Sequence, residues 1–236
     1  MKKAYKFAVA AAALAFLAPA FAQEEEVEYE GTVGWTPVAI GIATPVQLPW
    51  GLNRWDVYGL DLNLFYSDAP KMVGLDFALL AETTRKEAKG LMAGGLLNLA
   101  LDNVYGARLG VGFNYCTADV YGLELGLIGA RNNIYGADFE LLGATQRNVT
   151  GFQFSGLANV STERSYGATL AIGTNIAKTA YGLQLAAIFN MTDELHGCQI
   201  ALVNYAKECP AGFQIGLVNI IRDNLWPVLP FVNGYF

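Results

Sequence analysis

Eleven glycines punctuate this chain at intervals of 14 to 16 residues: Gly59, Gly74, Gly90, Gly106, Gly122, Gly136, Gly151, Gly167, Gly182, Gly197 and Gly212. A period near 15 held this long means that one small unit is repeated, and such units become stable only by pairing with their neighbours. The clearest copies read Tyr-Gly-Leu-Gln-Leu at 181–185, Gly-Cys-Gln-Ile-Ala-Leu-Val-Asn at 197–204 and Gly-Phe-Gln-Ile-Gly-Leu-Val-Asn at 212–219. A chain of this kind closes into a barrel or winds into a solenoid.

Each copy alternates with the period of a strand. Between Tyr105 and Tyr115 the odd positions are Tyr105, Ala107, Leu109, Val111, Phe113 and Tyr115, whereas the even ones are glycine, Arg108 and Asn114. The second position after each repeat glycine carries a polar residue in ten of eleven copies: Asp61, Asp76, Arg108, Glu124, Asp138, Gln153, Thr169, Gln184, Gln199 and Gln214, with Met92 the exception. The opposite face is leucine, isoleucine, phenylalanine and alanine. Tyrosines sit where strands begin or end: Tyr58, Tyr66, Tyr105, Tyr115, Tyr121, Tyr135, Tyr166 and Tyr181.

An apolar outer face, a polar inner face and aromatic ends match strands that cross a bilayer, with the tyrosines at the two membrane–water interfaces. The expected fold is therefore all-β: an antiparallel up-and-down transmembrane β-barrel of about 12–14 short strands. In it the polar column lines a lumen, with Phe65, Leu142 and Ile188 crowding it. The alternative is a parallel β-solenoid, in which the leucines point into the core and Gln184, Gln199 and Gln214 stack as an amide ladder. The turns are uniformly short, which favours the solenoid; the many tyrosines favour the barrel. Asparagines closing the copies (Asn98, Asn114, Asn159, Asn175, Asn190, Asn204, Asn219) are expected to cap local backbone.

The N-terminus reads as a secretory signal over 1–22: Lys2, Lys3 and Lys6, an apolar run, then Ala20-Phe21-Ala22. An acidic leader follows over 23–30, and residues 31–236 form a single repeat-built domain. Without the signal the chain carries 12 basic and 21 acidic residues, which argues against nucleic acid as a partner. It is 53% hydrophobic and 15% charged, an apolar excess that suits lipid contact. Three cysteines, Cys116, Cys198 and Cys209, lack metal-site spacing. The single histidine, His196, excludes paired-histidine chemistry and lies on the apolar parity. No enzymatic activity, metal or cofactor is expected.

The entry Asp56-Val57-Tyr58-Gly59-Leu60, the copies at 197–204 and 212–219, and the ending Pro-x-Leu-Pro-Phe-Val-Asn-x-x-Phe resemble a bacterial surface repeat-containing family. That family carries tandem Gly-Leu-Gln-x-Gly-Leu-x-Asn units behind a signal peptide. The resemblance implies a cell-envelope location and supplies no catalytic residues. The combined expectation is a non-enzymatic outer-membrane or cell-surface protein, acting as a scaffold or a narrow pore for small solutes. Outer-membrane lipid is its expected partner, and a surface-exposed solenoid binding an extracellular partner is the alternative.

Overall fold

The computed structural model describes residues 32–50, 54–145 and 147–235. The signal and leader segments and the terminal Phe236 lie outside these residues. The described residues fall in one compact unit, Thr32–Phe236.

Consecutive repeats pair in parallel and in register, glycine opposite glycine: Gly59 with Gly74, Gly90 with Gly106, Gly122 with Gly136, Gly197 with Gly212. This corrects the antiparallel barrel and leaves the parallel β-solenoid. The glycines themselves give the physical reason. Gly122 has φ +140°, and a Cβ there would lie inside contact distance of the Gly106 carbonyl oxygen. The same close approach recurs from coil to coil, so each repeat must lie over the previous one in the same orientation.

The chain enters through β1 (Gly34–Ala43) and β2 (Val46–Leu48), then β3 (Trp55–Ala69). The next coils each contribute two short strands. One sheet takes β4 (Met72–Ala78), β6 (Ala88–Gly94), β8 (Val104–Gly110) and β10 (Asp119–Leu125). The other takes β5 (Ala81–Thr84), β7 (Leu97–Ala100), β9 (Phe113–Cys116) and β11 (Ile128–Arg131). Longer strands continue both sheets: β12 (Asn133–Thr145), β13 (Asn148–Ala171), β14 (Thr174–Ala186), β15 (Phe189–Ile200) and β16 (Val203–Ile221). At the C-terminal end β17 (Val228–Gly234) pairs antiparallel with β16 and ends the parallel stack.

The faces are inverted relative to a conventional solenoid. The leucines expected inside point outward, and the polar column after each glycine is buried, with Asp61, Arg108, Glu124 and Gln214 fully inaccessible. That column lines no lumen; it fills a closed core between the two sheets. Phe65 and Ile188 are exposed at corners, where the alternation slips by one residue, and Leu142 also faces outward. Tyr105 and Tyr115 do not end one strand, because the chain turns between them at Val111-Gly112 and places them on different sheets.

Two zones divide the core. Val57, Met72, Ala88, Val104, Val120, Ile134 and Val149 make an apolar zone just before the glycines. The polar column and the asparagines make a second zone on the far side of the glycines.

Candidate functional site

The corner reached five or six residues after each glycine is apolar in every coil. It presents Leu64, Leu79, Leu96, Val111, Leu127, Leu141, Leu157, Ile172, Ile188, Leu202 and Leu217, from 42% exposed at Leu141 to 71% at Val111. With coils about 4.8 Å apart, ten steps make a straight apolar edge roughly 48 Å long. Such a patch is far beyond the scattered exposed leucines of an ordinary surface. The sheet flank leading to this edge is apolar too: Leu75 and Phe77, Leu123 and Leu125, Phe213 and Ile215 all face outward.

Backbone amides along this edge bond neighbouring coils. Val111 N donates to Gly95 O at 2.9 Å, Phe113 N to Leu96 O at 2.7 Å, Leu141 N to Leu127 O at 2.9 Å and Val218 N to Leu202 O at 3.1 Å. Carbonyls at the corner meet the asparagine column. Asn98 donates to Leu109 O, Asn114 to Leu125 O, Asn159 to Leu170 O, Asn175 to Leu185 O, Asn190 to Ile200 O and Asn204 to Ile215 O, over 2.7–3.1 Å. These amides also chain to each other, Asn175 to Asn190 and Asn190 to Asn204 at 3.0 Å and Asn204 to Asn219 at 2.9 Å. The asparagines thus cap the next coil rather than their own strand ends. Glycine at Gly110 is required for this, since a Cβ there would strike both Asn98 and Asn114 side chains.

The ladder lapses at Gly129 and Gly143, and an ion cluster takes its place. Arg131 reaches Glu124, Asp138 and Glu140, while Arg108 bonds Glu124 at 2.5 Å and the Tyr115 carbonyl at 2.9 Å. All five side chains are buried. The three carboxylates lie close enough together to suggest a metal centre, but the Arg131 guanidinium already bridges them. Burial works against the Arg131 charge, yet Asp138, Glu124 and Glu140 together raise its pKa well above the usual value. Burial raises Glu140 and Asp138 in turn, Arg131 opposing. Three acids against two arginines leave one formal negative charge in excess.

A second acidic group lies toward the N-terminal end. Asp61 accepts from Asn63 and Ser67 at 2.7 Å. The four carboxylate oxygens of Asp76 and Glu82, by contrast, accept no well-formed hydrogen bond. Burial pushes Asp61 up to about 6, and Asp76 and Glu82 well above the usual carboxylate range, where neighbouring acids push both further in the same direction. Further along, Gln199 donates to Gln184 at 2.7 Å and Gln214 to Gln199 at 2.8 Å, so the expected amide ladder forms over these coils. Gln153 donates to Asp138 at 2.9 Å, and Thr169 separates it from the ladder.

The tyrosines preceding the glycines stack one coil upon the next: Tyr105 on Tyr121 at 4.9 Å, Tyr121 on Tyr135 at 4.8 Å, Tyr166 on Tyr181 at 4.7 Å. His196 extends the row, 4.6 Å from Tyr181, and its Nε2 lies 2.7 Å from Glu194. Tyr58 packs edge-on to Trp35. Tyr66 and Tyr115 lie half-buried on the other sheet. Beyond the tyrosine row is the second edge, which carries the charges: Lys71 with Glu87, Lys207 with Glu208, Arg222 with Asp223. The three cysteines are free, and burial raises their pKa values, which makes them poor nucleophiles.

Among the described residues no helix is long and apolar enough to cross a membrane. No protein-family model, curated protein or solved structure matches this chain.

Proposed function

We propose that this protein is a non-enzymatic β-solenoid of the bacterial cell envelope that holds a partner against its apolar edge. One observation carries the reading: an uninterrupted line of exposed leucine, isoleucine and valine over eleven coils. Water contact with such a line is unfavourable by about 25 cal/mol per Å², so covering it yields binding energy. The acids of the polar column lie buried in the core, out of reach of a substrate. The N-terminal signal and the resemblance to surface repeat proteins support the envelope location. The closed core argues for a scaffold or attachment role over a pore.

Fractionation of cells producing the full chain tests this reading. The protein should pellet with the envelope, resist high salt and leave with detergent. A variant carrying Leu127→Ser, Leu141→Ser and Leu157→Ser should fold with an unchanged far-UV spectrum and move to the soluble fraction. A wild-type chain found in the soluble fraction would contradict the proposal, as would undiminished retention of the variant.

A further inference from the structure

We infer that the partner of the apolar edge is a lipid leaflet, which the solenoid enters edge-first without crossing; this rests on the edge being a binding surface. Backbone chemistry is the first argument. Hydrocarbon offers no hydrogen bonds, so a polypeptide can enter it only where every backbone polar group is already satisfied. Corner loops normally fail that requirement, since their carbonyls and amides are left to water. Here the corner amides bond a neighbouring coil, and the asparagine ladder bonds corner carbonyls from inside, as with Asn114 and Leu125 O or Asn190 and Ile200 O. The interior is polar where the exterior is greasy, which is the arrangement a lipid-facing corner needs.

The flank beside the edge lacks what a protein partner would use. A protein interface carries roughly one hydrogen bond per 100–200 Å² and a polar rim. On the sheet flank between the tyrosine row and the edge, the outward side chains of the described coils are aliphatic, phenylalanine or Cys198, with no charge.

Depth is the third argument. Six residues separate Tyr105 from Val111, about 20 Å of strand at roughly 3.3 Å per residue, against about 15 Å for half the hydrocarbon core of a bilayer. An edge placed in the acyl chains therefore brings the stacked tyrosines to headgroup level, where a ring with a wet hydroxyl is most stable. The charged edge, with Arg222 and Lys207, remains in water beyond them.

The experiment uses the full chain with Cys116, Cys198 and Cys209 replaced by alanine and one new cysteine carrying an environment-sensitive fluorophore. The positions are Val111→Cys on the edge, Tyr121→Cys in the aromatic row and Thr117→Cys toward the charged edge. The probe is phosphatidylcholine vesicles with nitroxides placed shallow or deep in the acyl chain. Deep nitroxides should quench position 111, shallow ones position 121, and neither position 117. Partition should survive 1 M salt, and the triple serine variant at 127, 141 and 157 should bind at least about a hundredfold more weakly. Failure to bind vesicles, with edge-dependent envelope retention intact, would overturn the lipid assignment and leave a protein partner for the edge. A label at 111 that is buried without lipid, in a dimer seen by light scattering, would overturn it in favour of a second copy. Equal quenching at 111 and 117 would overturn the edge-first orientation.

Discussion

The side-chain amide of Asn114 donates to the main-chain carbonyl of Leu125, one coil further on, at 2.9 Å. Through this bond a residue inside the core satisfies the backbone of a corner whose own side chains point away from it. Repeated along the stack, it lets the chain turn sharply with apolar side chains outside and no water needed to solvate the turn.

Loss of that amide should therefore cost more than one hydrogen bond. Asn190 gives its amide to Gln184 O, Ile200 O and the Asn204 side chain. Replacement by leucine of similar size leaves those acceptors buried and unmet, and should lower stability by about 2–4 kcal/mol in urea unfolding. Leu202→Ala, on the exposed edge of the same region, should change unfolding in detergent-free buffer by less than about 0.5 kcal/mol.

The ion cluster gives asymmetric outcomes. Arg131→Met removes the cation that Glu124, Asp138 and Glu140 share, and should destabilise by about 3–5 kcal/mol, since it strands buried carboxyls. Glu140→Gln keeps the shape and removes one excess charge, so its thermal midpoint near pH 7 should equal or exceed that of the wild type.

Stability should depend on pH with an unusual sign. Burial first, and neighbouring acids second, raise Asp76 and Glu82, and burial raises Asp61 to about 6 from 3.8. The folded chain then binds protons that the unfolded chain has released, so stability is greatest in acid and falls as pH rises. For Asp61 the fall runs from about pH 4 to about pH 6 and amounts to on the order of 3 kcal/mol. Asp76 and Glu82, raised in the same direction, add to the fall. Thermal melts from pH 4 to 8 should show a declining midpoint, and Asp61→Asn with Glu82→Gln should flatten it. A midpoint that climbs toward neutrality would contradict the protonated core.

Much of this architecture is legible in the sequence. The glycine period defined the coil, and the two-residue alternation assigned Asp61, Glu124 and Gln184 to one side and Leu123, Leu125 and Leu183 to the other. Pairing direction was hidden, because alternation is the same in a barrel strand and a solenoid strand. So was the corner at Val111-Gly112: outward and inward positions keep their parity through it, so Tyr105 to Tyr115 read as one strand. The buried places of Arg131 and Glu82 were hidden as well, since neither stands at the second position after a repeat glycine. Arg131 has room because Gly129 carries no side chain, and a Cβ there would strike both the Arg131 guanidinium and the Glu140 carboxylate. The edge left a faint sign in the sequence, a glycine beside an aliphatic residue at Gly95-Leu96, Val111-Gly112, Gly156-Leu157 and Ile172-Gly173.

The straightness of that edge is the central claim, and distances along it test it directly. Spin labels on cysteines at Leu96 and Leu157, four coils apart, should lie roughly 19 Å apart, and labels at Leu96 and Leu217, eight coils apart, roughly 38 Å, if parallel coils stack at about 4.8 Å. Pulsed electron–electron measurements on the vesicle-bound full chain should show this linear growth with coil number. A Leu96–Leu217 distance no longer than the Leu96–Leu157 distance would mean that the chain curves back on itself, and the solenoid account would be wrong.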